Sequence, residues 1–161
     1  MVIVLMGVSG VGKTTVGERL AADLDWPFYE GDDFHPRSNL DKMDRGIPLT
    51  DADRAPWLDR LRSLIERHLQ AGEPAILTCS ALKAAYRDRL KQGDEAVRFV
   101  YLQAGADQIR ARMEARSDHY MPVDLLASQF ETLEEPTDAL TVDASAPPAA
   151  VVERIRSGLG V

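Results

Sequence analysis

Apolar residues in this chain gather in short, mainly unbroken runs, separated by stretches in which they return every three or four positions. The runs fall at 1–6, 27–30, 75–79, 97–102 and 139–143. Such short runs, bounded by turn residues, predict buried strands. Between them, Val16, Leu20 and Leu24 with Ala21 make the stripe of a helix over 14–24. Thr50-x-x-Asp53 resembles a capping box and opens a longer helix carrying Trp57, Leu58, Leu61, Leu64, Ile65 and Leu69, which Gly72 ends. Pro36 is expected to start a short helix that Gly46 stops. Further helices are predicted over 81–90, 107–116, 123–133 and 148–159, and 117–122 breaks the pattern between two of them. Strands alternating with helices predict an α/β fold, a parallel sheet covered on both faces. Right-handed crossovers bring the C-terminal strand ends to one edge, where such sheets bind ligands.

The first of those ends carries Gly7-Val8-Ser9-Gly10-Val11-Gly12-Lys13-Thr14, which satisfies G-x-x-x-x-G-K-[ST] at every fixed position. Its setting between a strand and a helix is the one a phosphate loop requires. The glycines let successive N–H groups turn toward anionic oxygens, and the helix N-terminus adds partial positive charge. Lys13 is expected to reach the β- and γ-phosphates of ATP, and the Thr14 hydroxyl to hold Mg²⁺, with Thr15 beside it. The motif predicts a P-loop NTPase.

Charge narrows the partners. With 161 residues the chain is expected to make one domain. A net charge of −7 argues against nucleic acid or an acidic membrane surface as partner, so an anionic substrate needs local cations. A lone cysteine, Cys79, suits a reducing compartment, and the apolar start runs straight into the phosphate loop rather than forming a leader or a span. A cytoplasmic setting is expected.

No N-K-x-D base-reading motif of switch GTPases occurs, and neither the third nor the fourth strand ends in the acid usual in motor ATPases. Gly31-Asp32-Asp33 is expected to be the loop leaving the second strand, and acids cluster there instead, as Glu30-x-Asp32-Asp33. A carboxylate there is placed to accept the proton of a substrate hydroxyl as a phosphoryl group transfers, the arrangement of a small-molecule kinase. Capping of the next helix is the alternative role. Two cationic pairs stand out. Lys83 and Arg87 are spaced as one helix face and suit either a carboxylate clamp or a solvated surface. Arg112 and Arg116 lead into 117–122 and suit either a lid, spanning about 116–124, or cations complementing a helix dipole. His35, His68 and His119 show no metal spacing.

Longer blocks point further. Gly31-Asp32-Asp33-Phe34-His35-Pro36, Asn39-x-x-Lys42-Met43, Gly46-x-Pro48-Leu49-x-Asp51-x-Asp53-Arg54 and Pro56-Trp57-Leu58 resemble the thermoresistant-type gluconokinases. So do Cys79-Ser80-Ala81-Leu82-Lys83, Tyr86-Arg87-Asp88 and Gln129-Phe130-Glu131-Thr132-Leu133-Glu134-x-Pro136. The resemblance implies ATP:D-gluconate 6-phosphotransferase activity, a nucleoside-monophosphate-kinase-like fold with a five-stranded parallel sheet, and a homodimer. It implies Asp32 as base, with Glu30 or Asp33 acting on Mg²⁺ through water. Lys83 and Arg87, with His35, Lys42, Arg54 and Ser80, would bind gluconate. Arg112 would stack on adenine and Arg116 touch phosphate. A kinase of another polyol or hydroxy acid, such as shikimate, and a regulatory protein that only binds ATP are the rival readings.

Overall fold

The computed structural model describes residues 1–115 and 123–161. Five strands form one sheet: β1 (Val2–Met6), β2 (Phe28–Glu30), β3 (Ala75–Thr78), β4 (Val97–Gln103) and β5 (Leu140–Asp143). Their spatial order is β2-β3-β1-β4-β5, and every pairing is parallel. The helices are α1 (Lys13–Leu24), α2 (Arg37–Asp44), α3 (Asp51–Ala71), α4 (Ala84–Lys91), α5 (Ala106–Ala115), α6 (Val123–Thr132) and α7 (Pro148–Leu159).

Side-chain alternation along β1 divides the core. Ile3 and Leu5 join Val16 and Leu20 of α1 and Val151 and Ile155 of α7 on one face. Val2, Val4 and Met6 join Trp57, Leu61 and Ile65 of α3 and Leu90 of α4 on the other. Because both faces are covered, β1 is buried at every position, which is why its sequence reads as an unbroken apolar run. The Thr50–Asp53 capping box forms in full: Asp53 N–H donates to Thr50 Oγ1 and Thr50 N–H to Asp53 Oδ2. Gly72, in the left-handed region, closes α3. Among the described residues no helix is long and apolar enough to cross a membrane.

Three segments differ from the sequence expectation. The helix expected from Ala81 starts at Ala84, because Ala81 has φ +46° and Lys83 is extended. Residues 31–33, read as a loop, are part of a 3-10 turn over Gly31–Phe34. Pro36 is not the first residue of α2 but lies just before it, at the N-cap position.

Register brings the working ends together. Leu5 pairs with Thr78 and Glu30 pairs with Thr78, so the chain leaves β1, β2 and β3 side by side. Two glycines are required there. A Cβ on Gly7 would lie 2.8 Å from the Leu102 carbonyl oxygen, at a φ of +146° that side chains rarely adopt. A Cβ on Gly31 would lie 1.9 Å from the Thr78 carbonyl oxygen, so only glycine lets the 3-10 turn cross so close to β3.

Candidate active site

At this edge one cavity is shared by the phosphate loop, the turn after β2, the segment after β3 and α6. Lys13, at the first turn of α1, donates from Nζ to the Gly7 and Val8 carbonyls at 2.8 and 3.0 Å. Burial pushes its ammonium below the ordinary lysine range, opposed by the Asp32 and Glu30 carboxylates. The Thr14 hydroxyl donates to Glu30 Oε2 at 2.6 Å. Glu30 Oε1 accepts from Thr78 Oγ1, also at 2.6 Å, and that same hydroxyl accepts the Gly31 N–H at 3.1 Å. Glu30 thus ties the head of α1 to the tip of β3. Asp33 is exposed and does not line the cavity; of the three acids Glu30 and Asp32 do.

Asp32 extends from the 3-10 turn with Oδ1 at 3.7 Å from His35 Nε2. The His35 ring is buried, stacked on Trp57 with centroids 4.1 Å apart and planes at 15°. Trp57 Nε1–H donates to the Gly31 carbonyl at 2.8 Å, which locks the turn from below. Asn39 Nδ2, a group that only donates, bonds the Asp53 carbonyl at 2.8 Å and His35 Nδ1 at 3.1 Å. Nδ1 is therefore unprotonated, and the neutral ring presents Nε2–H toward Asp32.

Burial, and then the nearby Arg54 charge, hold the His35 pKa down at about 4. The sign follows from linkage. The unfolded chain takes up this proton near 6.5, before the folded one can, so the stabilising contribution is full above that pH and is lost as pH falls toward 4. It amounts to at most about 3 kcal/mol. Denaturant midpoints are expected to fall more steeply between pH 6.5 and 4 for the wild-type protein than for His35→Gln. Parallel profiles would show that His35 does not titrate with folding.

Arg54 supplies a second cation on the cavity wall. Its Nη1 donates to the Leu49 carbonyl at 2.8 Å and to the Tyr86 hydroxyl at 3.0 Å. Tyr86 in turn donates to Asp51, and Lys83 Nζ pairs with that carboxylate at 3.1 Å.

The expected substrate cations therefore separate. Arg54, His35, Asp32 and Ser80 line the cavity together with Ser9 and Lys13. Lys83, Arg87 and Lys42 do not. Lys83 precedes α4 and neutralises Asp51, an exposed carboxylate whose pKa falls chiefly through the Tyr86 hydrogen bond and then through Lys83. Arg87 is buried and donates to three backbone carbonyls, those of Ala81 (2.8 Å), Leu82 (3.2 Å) and Glu134 (2.8 Å). The expected Lys83–Arg87 clamp is not formed, because Lys83 sits outside the helix and pairs with Asp51 while Arg87 is taken up by backbone carbonyls. Lys42 pairs with Asp53 at 2.8 Å, which with the Thr50 N–H holds that carboxyl at about 2.

On the far side of the loop, Arg112 donates to the Ala144 carbonyl at 2.9 Å and the Val11 carbonyl at 3.4 Å. That places it between the phosphate loop and the segment after β5. Arg116 and most of the expected lid, residues 116–122, lie outside the described residues. His68 is buried on α3 and meets the Tyr29 hydroxyl at 2.9 Å, a structural contact. Cys79 is also buried on the cavity wall, and burial pushes its thiol up to about 12, so it stays protonated.

Several cavity residues escaped the sequence reading. Thr78 carries no signal there beyond its place in a strand. Met43, Ile47, Pro48 and Leu49 form an apolar wall whose position only the path from α2 to α3 reveals. Gln129 of α6 reaches the phosphate loop from 120 positions away, with Oε1 accepting the Ser9 N–H at 2.6 Å and Nε2 donating to Ser9 Oγ at 3.2 Å.

Comparison with known proteins adds an independent line. A family model described as an AAA domain matches residues 2–140. The gluconokinase of Gluconobacter oxydans is 45% identical over 156 residues, 95% of this chain and 88% of that protein. The thermosensitive gluconokinase of Escherichia coli is 45% identical over 160 residues, 97% of this chain and 86% of that protein. A crystal structure of a gluconokinase from Sinorhizobium meliloti superposes with a TM-score of 0.86 at 44% identity, covering 98% of this chain and 90% of that one.

Proposed function

The chain belongs to the gluconokinase family, and we propose that it transfers the γ-phosphoryl group of ATP to the 6-hydroxyl of D-gluconate. The observation that carries this is one cavity in which Lys13 and Ser9 of the phosphate loop face Asp32, His35 and Arg54. Phosphate-binding and hydroxyl-activating groups share that space, as phosphoryl transfer to a bound acceptor requires.

Arg54 is the cation on the cavity wall that suits the gluconate carboxylate, its guanidinium aimed by Leu49 and Tyr86. Asp32 accepts the proton of the acceptor hydroxyl as its oxygen bonds to phosphorus and the bond from phosphorus to the ADP oxygen breaks. The His35 Nε2–H faces the same carboxylate and suits a donor to a neighbouring substrate hydroxyl. Loop amides and Lys13 receive the charge of the phosphates.

The donor set also fits Mg²⁺, which is ordinarily held by one or two protein oxygens together with substrate phosphates. Thr14 Oγ1 would hold the ion, and Glu30, 2.6 Å from that hydroxyl, would orient it and add negative charge nearby. The ion would neutralise phosphate charge. A homodimer and a cytoplasmic setting belong to the same proposal and rest on the family resemblance; light scattering of the purified protein tests the first.

Coupled ADP release with Mg-ATP and either D-gluconate, shikimate, glycerate or no acceptor tests the reading. Turnover is expected with gluconate. Release with shikimate alone would keep the fold and overturn the substrate; ATP binding without turnover on any acceptor would favour a regulatory protein. Arg54→Ala is expected to raise KM for gluconate about tenfold or more, the scale of a lost charge-assisted hydrogen bond, with little change for ATP. Equal loss for both ligands would remove Arg54 from the carboxylate site.

A further inference from the structure

The contact between Gln129 and Ser9 is unlike the other side-chain bonds of the site, because it occupies a backbone amide of the phosphate loop. Ser9 N–H has one hydrogen, and Gln129 Oε1 holds it at 2.6 Å. The carboxamide is oriented by its second bond, Nε2 to Ser9 Oγ at 3.2 Å. Loop amides of this kind serve phosphate oxygens. A phosphate oxygen at Ser9 N–H must therefore displace the Gln129 oxygen or share the hydrogen with it.

Position identifies the phosphate concerned. Of the loop residues 7–12, Ser9 alone lines the cavity that also holds Asp32, His35 and Arg54. The phosphate closest to the acceptor is the one transferred, so Ser9 faces the γ-phosphate. ADP lacks that group.

We propose that Gln129 sets the selectivity between tri- and diphosphate by competing with the γ-phosphate for the Ser9 amide, so that only a triphosphate frees α6 from the loop. Gln129 is a positioning residue in this scheme. It weakens ATP relative to ADP and so limits retention of the substrate nucleotide against its product. The inference rests on the kinase reading for the orientation of the triphosphate but needs no acceptor for its test.

The test is the ratio of dissociation constants for Mg-ADP and a Mg-bound non-hydrolysable ATP analogue, measured by calorimetry without acceptor on the full chain. Gln129→Ala removes the competitor and is expected to shift the ratio about three- to tenfold in favour of the triphosphate, the scale of one neutral hydrogen bond. Gln129→Glu keeps the shape and an acceptor oxygen but adds negative charge beside the γ-phosphate. It is expected to shift the ratio the other way by a similar or larger factor. An unchanged ratio in both variants overturns the inference while leaving the gluconate-kinase reading intact. So does a parallel weakening of both nucleotides with a lowered melting temperature, which would make Gln129 a structural strut. Wild-type protein that binds neither nucleotide would overturn both.

Discussion

Asp32→Asn is expected to bind ATP much as the wild type does and to lose about 10²- to 10⁴-fold in kcat with gluconate, the usual range for removing a general base. The substitution keeps the size of the side chain and its place on the 3-10 turn after β2, which is fixed from below by the Trp57 bond to the Gly31 carbonyl. What it removes is the capacity to take a proton. Asp32 is half-buried and shares its cavity with Lys13, whose positive charge it favours. Because that support also goes, a modest rise in KM for ATP is compatible with the assignment. Near-normal kcat is not, and would remove Asp32 from the chemistry. Coupled ADP release with nucleotide titration on the same preparation separates the two quantities.

Arg87→Ala is expected to destabilise the fold by about 2–3 kcal/mol, a sizeable part of an ordinary domain's stability, and to affect ATP and gluconate together. The guanidinium serves carbonyls on two segments. Ala81 and Leu82 belong to the stretch leaving β3, and Glu134 follows α6. The same junction is knitted by Glu134 N–H to the Leu82 carbonyl at 2.8 Å and by Ala84 N–H to Glu134 Oε1 at 2.7 Å. Truncation leaves the buried Ala81 carbonyl without its donor and cuts the tie to the Glu134 carbonyl, while the Leu82 carbonyl keeps the Glu134 N–H. The stretch it loosens includes Ser80, whose carbonyl receives the Gly7 N–H. Both ligands should therefore suffer. Arg87→Lys offers one point charge where a planar fork is needed and should recover only part of the loss. A rise in KM for gluconate alone, at an unchanged melting temperature, would return Arg87 to the substrate site.

That correction marks where sequence reasoning reaches its limit. The strand pattern, the phosphate loop and the Thr50–Asp53 box were legible because each depends on residues a few positions apart. The Lys83–Arg87 pair is local too, a spacing of four, but the helix expected from Ala81 is interrupted by one left-handed residue. One of the three carbonyls that claim Arg87 lies 47 positions away. Glu30 and Thr14, Arg54 and Tyr86, Ser9 and Gln129 are likewise joined only by the fold. Residue types at the site could be read from the chain; which atoms each one is bound to could not.

The link running Thr14–Glu30–Thr78–Gly31 has a consequence for how this enzyme can diverge. It fastens the nucleotide half to the turn bearing Asp32 through one hydroxyl at the end of the strand between them. The distance between donor and base is thereby set by the sheet and is unavailable for adjustment. Adaptation to a longer, shorter or differently charged acceptor is left to the rest of the lining, most of it the wall of Met43, Ile47, Pro48, Leu49 and Arg54, which stands apart from that link. Substrate range can then drift through substitutions that leave the catalytic frame untouched, and directed evolution for a new sugar acid should accumulate its changes between residues 43 and 54.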